Sequence, residues 1–209
     1  MIELLCFDLD GTLVSSKDIH YNALNAALAD IAPEFVISRK DHLAEFDGLP
    51  TATKLRMLAD RGLPEYLITP IEDMKKQFTE WVLEEHDFGV DYFDMFFELK
   101  KSNYKLALCT NSIRTSTDTI LEKIGLEGMF DLVLTNESVR KPKPDPEMYQ
   151  LAMNALIAKP ENTLIFEDSE KGIASAVGSG AHVVRVASPD EMTLSKVLHN
   201  ISNLSISCL

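Results

Sequence analysis

Two aspartates two positions apart, Asp8 and Asp10, leave the apolar run 2–7 and enter a turn at Gly11-Thr12. A carboxylate in such a place can attack phosphorus and carry an acyl phosphate. A second carboxyl beside it can protonate a leaving oxygen and later take a proton from water. Gly11 permits a tight turn and close approach of a ligand to the backbone. The same residues also suit an acidic Asx-type turn after a strand, so local sequence alone leaves both readings open.

Three further segments carry candidate groups. Thr110 and Asn111 follow the apolar stretch Lys105–Cys109. A hydroxyl and a backbone N–H there could hold a phosphate oxygen, while Asn111 and Ser112 also suit a helix N-cap. In Arg140-Lys141-Pro142-Lys143-Pro144-Asp145-Pro146, prolines stiffen a loop that could aim the Lys141 ammonium at a phosphate and at Asp8. The alternative is a solvated loop ahead of a helix starting near Pro146. Glu167 and Asp168 close the run Thr163–Phe166, where hard carboxylate oxygens suit Mg²⁺. There Asp168 or Ser169 could instead only cap a helix. Asp8, Glu167 and Asp168 gathered together would repel one another strongly without a cation.

These groups share one property: each follows a short apolar run. Residues 2–7, Lys105–Cys109, Leu132–Leu134, Thr163–Phe166 and His182–Val186 read as strands covered on both faces, as in a parallel sheet. Helical patterns at about 113–124, 146–157 and 170–179 separate the later ones, which predicts βαβ crossovers and an α/β, doubly wound sheet. Ligands of such sheets bind at the carboxyl ends of strands, near the point where strand order reverses. Residues 17–87 break the rhythm and read as successive amphipathic helices punctuated by Pro33, Gly48-Leu49-Pro50, Gly62-Leu63-Pro64 and Pro70. The expected organisation is a core of 1–14 and 89–209 with a helical subdomain at 15–88. A polar helix around 190–199 and a serine-rich tail end the chain.

Composition bounds the partners. Hydrophobic residues at 45% and charged residues at 25% are ordinary for a globular chain, so disorder is not expected. A formal charge of −13 argues against a nucleic-acid surface and repels small anions at long range. Binding a phosphate ester then requires a local positive site, a metal ion or a buried lysine. Cys6 and Cys109 lie in apolar runs and read as buried free thiols; with Cys208 they make an odd set without metal spacing, consistent with a reducing cytoplasm. No apolar run is long enough to span a bilayer, and the N-terminus does not read as a signal peptide.

Together, Phe7-Asp8-Leu9-Asp10-Gly11-Thr12-Leu13-Val14, Cys109-Thr110-Asn111-Ser112, Lys141-Pro142-Lys143-Pro144-Asp145-Pro146 and Phe166-Glu167-Asp168-Ser169-Glu170-Lys171-Gly172-Ile173 resemble the haloacid dehalogenase-like hydrolase superfamily. The likeness is to its branch of phosphatases similar to β-phosphoglucomutase and phosphoglycolate phosphatase. Four motifs in order cover most of the chain outside the insert. The resemblance implies a Rossmann-like core and a Mg²⁺-dependent phosphoric monoester hydrolase acting through an aspartyl phosphate. It makes Asp8 the nucleophile and a metal ligand, and Asp10 the acid and base and a ligand through its carbonyl. Thr110 and Asn111 then hold phosphate, Lys141 is the lysine of the third motif, and Glu167 and Asp168 bind metal. It also implies a cis peptide before Pro142 and a helical cap at 15–88 that closes over the site.

Several positions depart from the family pattern or select within it. Ser15 stands where many relatives have Asp, and His20 where relatives often carry a His in the first cap helix, there either to touch substrate or to pack. The segment Asp47–Lys54 resembles the specificity loop, but Thr51 replaces the phosphate-clamping Arg of the sugar-phosphate mutase, with Lys54 a candidate substitute. Loss of that clamp weakens the mutase reading, which is still the nearest rival among enzymes; a non-catalytic phospho-acceptor or sensor domain is the rival of another class. The expected partner is a small phosphorylated metabolite, a sugar or polyol phosphate foremost, with no nucleic acid and no membrane. The assembly expected is a monomer or small homo-oligomer, since the apolar stretch Phe93–Leu99 suits core or interface alike.

Overall fold

The computed structural model describes residues 1–206; Cys208 and the end of the serine-rich tail lie outside the described residues. The chain forms two compact units, Met1–Ser15 with Asp87–Leu209, and Ser16–His86.

The first unit is a five-stranded parallel sheet in the order β3-β2-β1-β4-β5. Its strands are β1 (Leu4–Phe7), β2 (Lys105–Cys109), β3 (Leu132–Leu134), β4 (Thr163–Glu167) and β5 (His182–Arg185). Every residue of β1 and β4 is buried, which is why both read as unbroken apolar runs rather than alternating ones. One face of the sheet, with Leu4, Cys6, Ala107, Cys109 and Ile165, packs on the helix Glu147–Ala155 through Met148, Tyr149, Ala152 and Met153. On the other face Phe7 stacks on Phe166 at 5.0 Å and meets Phe96 of the helix Phe93–Lys101 at 4.9 Å. Fully burying one such side chain stabilises the fold by about 1.5–3 kcal/mol. Helices on both faces make the sheet doubly wound. The stretch Phe93–Leu99 serves as core through Met95, Phe96 and Leu99, while Phe93 and Phe97 stack on each other on its exposed side.

In the helical unit, α1 (Lys17–Ile31) packs against α4 (Ile68–Glu85). Between them α2 (Arg39–Asp41) runs into a π-turn, His42–Phe46, followed by α3 (Thr51–Ala59). Leu24, Ala27, Leu28, Phe46, Leu55, Leu58 and Ile71 form its own apolar core. The Asn25 amide ties the connection down by bonding both the N–H and the carbonyl of Ile37.

Beyond these, α5 is Phe93–Lys101, α6 Arg114–Lys123, α7 Glu147–Ala155, α8 Glu170–Gly178 and α9 Leu194–Ile206. The last helix runs past the expected end near residue 199 and takes up most of the serine-rich tail. Among the described residues no helix is long and apolar enough to cross a membrane.

Candidate active site

The strand order reverses beside β1, so the carboxyl ends of β1, β2 and β4 frame one crevice. Parallel register places Phe7 opposite both Leu108 and Phe166, which brings the segments after β1, β2 and β4 to the same height. Asp8 follows β1, Thr110 follows β2, and Glu167 ends β4.

Asp8 begins a loop knotted on one carbonyl: the N–H groups of Thr12, Leu13 and Val14 all reach the Leu9 oxygen. The reversal places Gly11 at φ 100°, a region costly for any residue with a Cβ. Asp10 is held at its Oδ2, which accepts from the Ser112 hydroxyl at 2.6 Å and the Thr110 hydroxyl at 3.3 Å.

The lysine that meets Asp8 is Lys143. Its buried Nζ donates to Asp8 Oδ1 at 2.8 Å, the Cys109 carbonyl at 2.7 Å and Glu167 Oε1 at 2.5 Å, which uses all three of its hydrogens. Lys141, expected in this place, is a correction: its side chain is largely exposed and its nearest acidic partner is Asp145 at 3.9 Å. The cis peptide likewise lies at Lys143-Pro144 rather than before Pro142. The dipeptide Lys-Pro occurs twice in a row, and tertiary ties choose between the copies. Glu147 accepts the N–H groups of Arg140 and Lys141, holding that pair beside the start of α7. The Asn111 amide bonds the N–H and carbonyl of Lys143 and turns that residue inward.

Asn111 thus clamps the lysine loop with its side chain. Neither Asn111 nor Ser112 caps α6 through its side chain; the first N–H of that helix, Arg114, goes to Glu137 instead. Thr110 is buried, and its own N–H is taken by Leu134. At the other wall Ser169 caps α8, accepting from the Gly172 N–H, so capping does not fall to Asp168.

Glu167 is fully buried. Its Oε1 accepts from Lys143 and, at 2.7 Å, from the Tyr149 hydroxyl; its Oε2 accepts the Asp168 N–H at 3.1 Å. A Cβ at position 172 would fall 2.0 Å from Oε2, so the carboxylate fills the space that glycine leaves.

One oxygen from each of Asp8, Glu167 and Asp168 lies within 4.8 Å of the other two. A set of hard oxygens at that spacing fits a divalent cation. Electrostatics agree: burial, then the Glu167 charge, pushes the Asp8 carboxyl well above the usual carboxylate range. Burial alone would lower the Lys143 ammonium, but Asp8 and Glu167 outweigh it and hold the group charged.

His20, Thr51 and Lys54 belong to the helical unit. His20 is partly exposed on α1, and Thr51 opens α3. Lys54, for which a surface place is the ordinary expectation, is instead buried. Close to it is a histidine that the sequence did not single out: His42, 3% exposed, lies 3.7 Å from Asp47 through Nε2. Burial, helped by the Lys54 charge, lowers its pKa to about 4.

Residues 5–186 match the model of the haloacid dehalogenase-like hydrolases. The chain belongs to that family. Among curated relatives it is 27% identical over 200 residues to a pyrophosphatase, PpaX, of Bacillus mycoides, covering 89% of this chain and 84% of that one. It is 29% identical over 182 residues to a phosphorylated carbohydrates phosphatase of Thermotoga maritima, covering 86% and 82%. Among solved structures, β-phosphoglucomutase of Clostridium difficile superposes with a TM-score of 0.84 at 18% identity, over 99% of this chain and all of that one. That likeness concerns the fold.

Lys143, Ser112, Tyr149 and Gly172 are the site groups missing from the sequence reading. The lysine had a signal, the second Lys-Pro pair. Tyr149 carried none beyond its place on the apolar face of a helix.

Proposed function

We propose that this chain is a Mg²⁺-dependent phosphatase of small phosphorylated metabolites, a sugar or polyol phosphate foremost, working through an aspartyl phosphate on Asp8. The observation that carries the proposal is the meeting of Asp8 with Lys143 at the mouth of a three-carboxylate cluster, beside an Asp10 fixed by Ser112 and Thr110. The likeness to a pyrophosphatase and to a phosphorylated carbohydrates phosphatase supports the class.

Asp8, Glu167 and Asp168 would hold the cation, which when bound supplies charge neutralisation for the carboxylates and for the phosphoryl oxygens. Lys143 orients Asp8 and favours its ionised form against the burial and the Glu167 charge that oppose it. An Asp8 oxygen attacks phosphorus as the ester P–O bond breaks, and Asp10 gives its proton to the leaving oxygen, releasing the alcohol. Asp10, now a carboxylate, takes a proton from water; the hydroxide attacks phosphorus, the P–O bond to Asp8 breaks, and inorganic phosphate leaves. Positioning and charge stabilisation supply most of the rate in phosphoryl transfer.

The test is phosphate release from a panel of sugar phosphates, polyol phosphates and pyrophosphate, with Mg²⁺ and with chelator. Stoichiometric, Mg²⁺-dependent release from at least one sugar or polyol phosphate is expected. Isomerised phosphosugar with almost no free phosphate would establish a mutase in its place. Cleavage confined to pyrophosphate would overturn the substrate class, and release unaffected by chelator would overturn the metal.

A further inference from the structure

Tyr149 lies in the middle of α7, entirely buried, on the face turned to the sheet. A tyrosine there must find a partner for its hydroxyl, because a buried O–H without one is costly. The partner is Glu167 Oε1 at 2.7 Å, and the same ring carries the Lys143 ammonium 5.0 Å from its centroid.

A carboxylate oxygen has two lone pairs. At Oε1 the Tyr149 hydroxyl and the Lys143 ammonium take both. At Oε2 the structure places one donor, the Asp168 N–H. The carboxylate cannot rotate away, since its oxygens rest against the backbone at Gly172. Two donors on one oxygen, one on the other and a backbone behind both determine which oxygen has capacity for a cation.

We infer that Tyr149 is a positioning residue for the metal centre: by occupying Glu167 Oε1 together with Lys143, its hydroxyl presents Oε2 to the divalent cation beside Asp8 and Asp168. The inference rests on the metal reading proposed above. Tyr149 touches neither substrate nor cation and acts through Glu167. Phenylalanine at this position would keep the ring against Lys143 and lose only the hydroxyl. Partners of this kind, one step behind a ligand, typically change metal affinity or activity about 10–100-fold when removed.

The experiment titrates Mg²⁺ calorimetrically into the full-length protein without substrate, for wild type, Tyr149→Phe, Glu167→Gln and the double variant. Wild type is expected to bind Mg²⁺, Tyr149→Phe to bind about tenfold more weakly or worse, and Glu167→Gln to lose more. In the Glu167→Gln background Tyr149→Phe should add little, because the hydroxyl works only through that carboxylate. Melting in chelator separates a packing role, which would lower the melting temperature and leave the Mg²⁺ affinity alone. Equal affinity of Tyr149→Phe and wild type, or additive losses in the double variant, would overturn the inference. Should Tyr149→Phe not fold, an unchanged affinity in Glu167→Gln would overturn it equally, since Oε2 would then be no ligand. A wild type that binds no Mg²⁺ would instead remove the metal reading on which it stands.

Discussion

The ammonium of Lys143 and the carboxylate of Asp8 stand 135 positions apart in the chain and 2.8 Å apart in the fold. Both are almost wholly buried: the Lys143 charge is tenable because Asp8 and Glu167 face it, and the Asp8 charge only because Lys143 offsets the like charge of Glu167. Removing one member of a buried pair leaves an uncompensated charge and typically costs about 3–5 kcal/mol. Lys143→Ala is therefore expected to lower stability on that scale in chelator and to cut kcat by about 10²–10³-fold, as loss of one charge-stabilising donor does elsewhere. Lys141→Ala should change stability by less than about 1 kcal/mol, as for an exposed pair, and leave kcat near wild type. Denaturant melts and steady-state kinetics on the two variants check this, and equal effects would show that the wrong pair has been assigned.

Gly172 offers a test with an inverted sign. In an exposed helix interior, glycine to alanine stabilises by about 0.5–1 kcal/mol. Here the new methyl would sit 2.0 Å from Glu167 Oε2 and drive the carboxylate off Lys143 and Tyr149. Gly172→Ala should lose at least about 1–3 kcal/mol, the range for overpacking, together with most activity. Thermal melts and a phosphate-release assay read both.

His42 makes stability pH-dependent. Its folded pKa is lowered to about 4 from an ordinary 6.5, by burial first and by Lys54 and Arg39 next, with Asp47 and Asp18 opposing. Between those values the unfolded chain takes up the proton and the folded chain does not, so stability falls as pH drops from about 6.5 to about 4. The size expected is roughly 1–3 kcal/mol. His42→Gln should flatten that part of the profile, as urea melts across the window will record.

The ends of α7 hold a smaller prediction. Ile157 follows the helix at φ 51°, and the bonds from Ala158 N–H to Met153 and from Ile157 N–H to Asn154 complete a Schellman turn. A β-branched residue is strained there, and its side chain is 85% exposed. Ile157→Gly should stabilise by about 0.5–1 kcal/mol, the relief of strain exceeding the added entropy of the unfolded chain. Chemical denaturation of the variant measures it.

How far the sequence carried can be traced residue by residue. That Asp8, Asp10, Thr110, Glu167 and Asp168 gather at one crevice was legible, because strands buried on both faces read as apolar runs and the polar residues ending each run fall there; that the Thr110 hydroxyl goes to Asp10 was not. The sheet followed from the same runs. Lys143 was misplaced as Lys141 because nothing local distinguishes two successive Lys-Pro pairs; the choice is made by Asn111, 32 positions away, and by Glu147. Asn111 was read as a helix cap or a phosphate holder and Ser112 as a helix cap, since a short polar side chain suits many nearby partners. Their actual partners, Lys143 and Asp10, lie on other strands' loops. Tyr149 and Gly172 were silent because their roles are set by the position of Glu167, which no periodicity reveals.

The central claim, that phosphorus passes through Asp8, has one direct measurement. Asp10→Asn protein, in which hydrolysis of the phosphoenzyme is slowed, is mixed with a turned-over phosphate ester and quenched in acid within a single turnover. The peptide carrying position 8 is then sequenced by mass spectrometry before and after borohydride reduction. One phosphoryl group on Asp8, converted by borohydride to homoserine at that position and absent in the additional Asp8→Asn variant, is the expected result. Phosphate release that continues in Asp8→Asn protein, or a phosphoryl group carried by any other residue, would contradict the account.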